Sequence, residues 1–265
     1  MVNFLSMNRV MFTLFGVDVY WYGAIICFAI IVAIAMAVLY CKKRKYQTDM
    51  PINIALVILP TGIACGRLFA VLFDADLSIA EYFNFRTGGM SIIGAIIGGG
   101  LGLLAFCLIT KKKNILLHFD TLCVVLILAQ AIGRWGNFVN EEVYGQIVTN
   151  PAFQFFPFAV EVGGVHYEAL FFYEFVLNLI GFIALSIIYL KQKDAGYCVG
   201  GYLLYYGIVR TILEPRRNAM YILKASSVKV SLICSILMIV IGASILTMLI
   251  IKKYKNKGIK NGKKG

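Results

Sequence analysis

The sequence predicts an all-α membrane protein of seven transmembrane helices, with a small outer-side head between spans four and five. Three observations carry that expectation. Of the 265 residues, 60% are hydrophobic and 14% charged, against ~45–50% and ~25% in soluble domains. The mean hydropathy is +0.83. Seven separate stretches come near the ~20 apolar residues that cross a bilayer. These features exclude a soluble globular enzyme, a disordered chain and a secreted disulfide scaffold.

In chain order the expected spans are Asp18–Tyr40, Pro51–Phe73, Gly88–Ile109, Ile115–Ile132, Ala169–Leu190, Tyr197–Leu213 and Val228–Ile251. The fourth and sixth are short. Backbone facing lipid must satisfy its own hydrogen bonds, so helices are the default; the alternating pattern of a membrane barrel is absent. Arg9 lies well upstream of the first span and no small-residue cleavage site follows, so no cleavable signal peptide is expected. We expect residues 1–251 to form a single transmembrane bundle and 133–168 its outer loop. Within that loop Asn150, Pro151, Pro157, Gly163 and Gly164 read as turns, and Phe and Val runs between them could pair as a hairpin. Residues 252–265 read as a basic, disordered cytoplasmic tail.

Charge sets the orientation. Lys42, Lys43, Arg44 and Lys45 follow span one, Lys111 to Lys113 span three, and Lys191 and Lys193 span five; seven lysines fill the tail. These are sixteen of the 25 cations, all on one side if the spans alternate. Lysine and arginine mark the cytoplasmic side, so the amino terminus is outside. The net charge of +12 then serves orientation and attraction to anionic lipid rather than nucleic acid.

The other nine cations are Arg9, Arg67, Arg86, Arg134, Arg210, Arg216, Arg217, Lys224 and Lys229. Arginine on the outer side disobeys the orientation rule and needs another reason. Its planar fork of donors fits phosphate bidentately, and an ionisable group in a span is a functional-site hypothesis. The plainer reading is ion pairing with the ten outer-side acids between Asp18 and Glu214. For Arg67 and Arg216 that reading is at least as good; for Arg134 and Arg210 function is favoured.

The seven cysteines (Cys27, Cys41, Cys65, Cys107, Cys123, Cys198 and Cys234) form no CxxC pair and read as small apolar core residues. His118 and His166 are the only histidines, so no metal site is expected. Phosphate-loop, dinucleotide and serine-nucleophile motifs are missing.

Chemistry concentrates in Gly133 Arg134 Trp135 Gly136 Asn137 Phe138 Val139 Asn140 Glu141 Glu142 Val143 Tyr144 Gly145, where the fourth apolar run stops. Arg is an anion clamp, Asn supplies donor and acceptor together, and Gly permits close backbone approach. An ordinary helix end explains one Gly and one Asn, not the whole set.

This segment closely resembles the signature of the prolipoprotein diacylglyceryl transferase family. The resemblance runs along most of the chain. Tyr20 Trp21 Tyr22 Gly23 is similar to the family's first-span motif, with Tyr22 at its functional tyrosine. Gly66 Arg67 Leu68 Phe69, Gly88 Gly89 Met90 Ser91, Tyr173 Glu174 and Tyr206 Gly207 Ile208 Val209 Arg210, with Glu214 and Arg217, resemble later motifs. The resemblance implies transfer of the diacylglyceryl group of phosphatidylglycerol to the lipobox cysteine thiol of preprolipoproteins. The products would be a thioether and glycerol 1-phosphate, formed without cofactor at the outer leaflet of the bacterial plasma membrane. Arg134, Asn137, Asn140 and Gly145 are then the substrate-binding candidates. Glu142, Tyr22, Tyr206 and Arg210 are the catalytic candidates; Glu142 and the two tyrosines take or relay the thiol proton or hold the arginines, and Arg210 clamps phosphate beside Arg134.

The sequence departs from the pattern in three places. Ile93 stands where the family has a histidine, Glu168 Ala169 where it has His-Pro, and Arg217 Asn218 Ala219 where it has Arg-Thr-Asp. Isoleucine accepts no proton. Two readings therefore stay open: a transferase in which Glu142, a tyrosine or the arginines take over the histidine's work, and a non-catalytic paralogue that binds phosphatidylglycerol or lipoprotein precursors. A transporter fits less well, because the polar residues gather toward one side rather than the midplane.

Overall fold

The computed structural model describes residues 9–73, 78–83, 89–111, 115–192, 194–218, 224–225 and 228–262. Seven helices occur among them: α1 Trp21–Lys43, α2 Met50–Phe73, α3 Ile92–Ile109, α4 Ile115–Val139, α5 Leu170–Lys191, α6 Tyr197–Leu213 and α7 Val230–Gly262. Five contain apolar stretches long enough to cross a membrane, within α1, α2, α4, α5 and α7. The apolar part of α3 runs Gly94–Ile109 and is shorter. Three antiparallel hairpins punctuate the helices: β1 Val10–Leu14 with β2 Val17–Tyr20, β3 Ala159–Val162 with β4 Val165–Glu168, and β5 Lys224–Ala225 with β6 Val228–Lys229.

Several expected boundaries move. Asp18 belongs to β2, so α1 begins three residues later, at Trp21. The third helix starts at Ile92, capped by Ser91, whose hydroxyl accepts from the Gly94 amide at 3.3 Å; Gly88 lies outside the described residues. The fourth helix runs seven residues past the expected end at Ile132, to Val139. Residues 133–139 are therefore helix, not loop, because polarity ended the apolar run before the backbone left helical geometry. Val228 is a strand residue, and α7 continues through most of the basic tail to Gly262, in keeping with the good helix propensity of lysine. The hairpin expected in 141–168 forms around Gly163 and Gly164, both at positive φ. Cys41, Cys107, Cys123 and Cys198 are buried, but Cys27 and Cys234 lie on outward faces of their helices.

The chain divides into two compact units, residues 36–115 and the remainder, with the division inside α1. In the smaller unit α2 and α3 pack antiparallel through small residues. A Cβ on Gly98 would stand 2.4 Å from the Thr61 carbonyl oxygen, and one on Gly94 2.5 Å from that of Cys65. Such close approach is how helices associate in lipid, where burial of apolar surface gives no net drive. Arg67 is fully buried here; its guanidinium donates to the carbonyls of Gly89 at 2.7 Å and Tyr82 at 3.3 Å. Among the described residues it fastens the α2–α3 connection through backbone carbonyls, where the plainer reading expected an ion pair.

In the larger unit α4, α5, α6 and α7 carry the core. Buried Asp120 on α4 accepts from the amides of Gly196 at 2.6 Å and Val199 at 2.8 Å. A carboxylate of one helix thus satisfies the free first-turn donors of another. It fixes the start of α6 beside α4, at the end of both helices remote from Arg134 and Arg210. Glycines again set helix spacing: a Cβ on Gly242 of α7 would meet the Leu204 amide nitrogen at 2.5 Å.

These approaches make a test. Gly98→Val forces backbone apart and is expected to cost about 1–3 kcal/mol, a drop of several degrees in the midpoint of thermal unfolding in detergent. Gly100→Ala, where a Cβ meets nothing within 4 Å, should leave the midpoint unchanged or raise it.

Candidate functional site

The site grows from the ends of three helices. The last two turns of α4 present Trp135 and Phe138 to one side and Arg134 and Asn137 to another. Trp135 meets Phe171 and Phe175 of α5 edge-on, at ring separations of 5.8 and 5.6 Å, and Phe138 stacks on Phe171 at 4.8 Å. That aromatic seam locks α4 to α5 and fixes the direction of the neighbouring polar residues. Gly136 is required beneath the Tyr22 ring, since a Cβ there would lie 2.8 Å from it. So α1 is drawn against α4 at the level of the site.

Glu174, one turn into α5 and 2% exposed, is the hub. Its Oε2 accepts from Arg134 Nε at 2.8 Å; its Oε1 faces Arg210 at 3.4 Å and Arg217 at 3.3 Å. Arg210 also pairs with buried Glu214 at 2.8 Å and donates to the Ser231 hydroxyl of α7 at 2.9 Å. Tyr206 lies beside Arg134, and its ring stacks on Tyr202 at 5.5 Å. Burial pushes the Arg217 guanidinium below its ordinary value; Glu174 and Glu214 oppose this, and Arg210 and Arg134 add to it. Three guanidinium groups thus meet two carboxylates, which leaves a surplus of one positive charge in this set.

From Arg134 a chain of amides leads outward. Arg134 donates to Asn137 Oδ1 at 3.3 Å; Asn137 Nδ2 and Asn140 Nδ2 both donate to Glu142 Oε1, at 3.1 and 3.3 Å. Glu142 sits between Glu141 (φ +54°) and Val143 (φ +64°). Two non-glycine residues in the left-handed region are uncommon and hold strain of order 1–3 kcal/mol each. The surroundings therefore fix this turn, and with it the carboxylate.

Of the residues expected from the sequence, Arg134, Arg210 and Tyr206 meet in the buried cluster. Asn137, Asn140, Glu142 and Tyr22 lie around its outer edge. Gly145 is elsewhere: its amide donates to the Glu168 carbonyl, and a Cβ would strike the Glu168 side chain at 2.6 Å. It supports the loop rather than touching the arginines. Among the described residues Arg216 pairs with Glu168 at 3.4 Å, at an exposed position. Ile93 is in the first turn of α3. Glu174, Glu214, Arg217 and Ser231 were not assigned to the site from sequence. A carboxylate one turn inside an apolar span was the signal for Glu174; Ser231 gave none.

The cluster predicts its own stability profile. Glu174→Gln strands Arg134 and leaves Arg210 and Arg217 to share Glu214, and should destabilise by about 3–5 kcal/mol, the usual cost of breaking a buried pair. Arg216→Ala, at an exposed pair, should cost about 1 kcal/mol or less. Thermal unfolding of both variants in detergent checks the contrast.

Comparison with known proteins follows the same direction. The sequence model of the family "Prolipoprotein diacylglyceryl transferase" matches residues 9–248. The phosphatidylglycerol–prolipoprotein diacylglyceryl transferase of Clostridioides difficile is 35% identical over 255 residues, covering 94% of this chain and 98% of its own. The protein of the same name from Finegoldia magna is 32% identical over 265 residues, covering 97% and 100%. One from Clostridium perfringens is 32% identical over 263 residues, covering 96% and 99%. With the signature segment folded into a buried arginine cluster and the match running almost end to end, this chain belongs to the prolipoprotein diacylglyceryl transferase family.

Proposed function

We propose that the protein transfers the diacylglyceryl group of phosphatidylglycerol to the lipobox cysteine of preprolipoproteins, in the bacterial plasma membrane. The observation that carries this reading is the surplus of positive charge where Arg134, Arg210 and Arg217 converge on Glu174. A buried cationic surplus calls for an anion, and in the reaction that anion is the lipid phosphate.

The cysteine sulfur attacks the glyceryl carbon that bears the phosphate. A carbon–sulfur bond forms and the carbon–oxygen bond breaks, its electron pair leaving with glycerol 1-phosphate. The thiol proton passes to a base and then to the departing phosphate or to water. Arg134 and Arg210 hold the phosphate and stabilise the charge that grows on it. Glu174 and Glu214 are each already engaged by guanidinium groups. Glu142 makes no ion pair among the described residues and is held by two amides. We assign it the thiol proton, with Tyr22 and Tyr206 as relays or supports. Nothing favours the non-catalytic alternative over this one.

We further read all seven helices as spans. At 1.5 Å per residue, the 17 residues of α6 reach ~26 Å, near the short end of what crosses the hydrocarbon. The basic loops put the amino terminus outside and the carboxy terminus in the cytoplasm. The arginine cluster and the β3–β4 segment, as a small head, then face the outer leaflet.

Reconstitution with phosphatidylglycerol and a lipobox peptide, with the thioether followed by mass spectrometry, tests the reading. Product is expected from the unaltered protein, and its absence in every lipid mixture would overturn the transferase assignment. Arg134→Ala should lower the rate a hundredfold or more, on the order of losing one fixed transition-state donor. Glu142→Gln, which keeps the shape and loses the base, should lower it roughly 10²–10⁴-fold. Ile93→His should raise activity if the missing histidine limits it.

A further inference from the structure

We propose that the acceptor polypeptide, not the lipid, occupies the cleft at the foot of the β1–β2 hairpin, with its cysteine directed at Tyr22 and Glu142. This rests on the transferase reading. The cleft has a volume of about 510 Å³. Val19, Tyr20, Tyr22 and Gly23 form one wall, from the end of β2 into the first turn of α1; Asn140 and Glu142 form the other. Arg9, which accepts from the Trp21 amide at 3.1 Å and lies 3.8 Å from Glu141, stands at its rim.

Three features select the occupant. The cleft and the arginine cluster share a boundary: Asn140 and Asn137 hold the same oxygen of Glu142, and Asn137 reaches Arg134. Whatever fills the cleft is therefore adjacent to the place where phosphate binds, as an attacking thiol must be. The walls also mix apolar surface with Asn, Glu and Arg. An extended peptide, with amides and carbonyls in need of partners, suits such a lining; an acyl chain would leave those groups without partners. Finally, the cleft lies where β2 passes into α1, at the upper end of the first span. A peptide held by a membrane segment at its amino-terminal side would emerge at that level. The strained turn that fixes Glu142 then has a purpose: it points the base at the incoming sulfur while Arg134 stays with the lipid.

Gly23 gives a clean probe, since a Cβ there meets nothing within 4 Å and α1 accepts leucine readily. Gly23→Leu fills the cleft without disturbing the fold. In phosphatidylglycerol nanodiscs it should raise KM for a lipobox peptide tenfold or more, with KM for phosphatidylglycerol and the thermal midpoint unchanged. In parallel, a photoreactive benzoylphenylalanine replaces Val19 in the full chain, and Ile180 on an outward face of α5 as control. The lipobox peptide should crosslink at 19 at least tenfold more than at 180, and Gly23→Leu should abolish the excess. Crosslinking to lipid instead, equal yields at both positions, or a rise in KM for phosphatidylglycerol alone would overturn the proposal. Crosslinking needs no turnover. A protein that crosslinks at 19 but forms no thioether would refute the transferase reading and keep the docking site. One that forms thioether without the crosslink would refute the docking site alone.

Discussion

One buried carboxylate organises this protein. Glu174 enters from one turn into α5 and gathers Arg134 from α4, Arg210 from α6 and Arg217 from the turn after it. Ionised groups in so dry a place are costly unless each finds a partner. The three helices therefore share a common alignment at this end, while Asp120 fixes α4 and α6 at the other. The network does not balance: two acids serve three bases. That imbalance costs stability, and under the proposed function it is what attracts the lipid phosphate. Under the proposed function, the arrangement that holds the helices together is also the one that binds the lipid phosphate.

A second constraint acts through glycine. Gly136 lets Tyr22 lie flat on α4, and Gly145 lets the loop return against Glu168. In the other unit Gly94 and Gly98 bring α3 onto α2. Glycine in a helix is ordinarily a loss of about 1 kcal/mol against alanine. Here it is repaid by backbone approach that no side chain would allow. The signature around Arg134 is thus a mixture of jobs within two helical turns. Trp135 and Phe138 bind α5, Gly136 receives α1, and Arg134 with Asn137 faces the site.

Much of this was legible in the sequence. Apolar length marked the helices, and the arginines set apart from the basic loops include the three that meet at Glu174. The hydropathy boundary misled at Ile132, because a helix buried within protein can carry polar residues for two more turns. It misled at Asp18 as well, where a polar residue beside apolar ones belonged to a strand rather than a span. The pairing of Arg134 with Arg210 through Glu174 was not legible, since three helices far apart in sequence supply it. Glu174 stood out as a carboxylate one turn inside an apolar span and as part of a family-like motif, but its partners did not. Nor does local sequence foretell positive φ at Glu141 and Val143, because strain of that kind is imposed by the surroundings.

The central claim is that the cationic surplus around Glu174 grips the phosphate of the lipid. Phosphorus NMR of phosphatidylglycerol titrated into the detergent-solubilised protein addresses it without requiring turnover. The account predicts a saturable shift of the phosphate resonance that disappears in Arg210→Gln, with the fold of that variant checked by circular dichroism. The same shift, at the same lipid concentration, in a folded Arg210→Gln protein would contradict it.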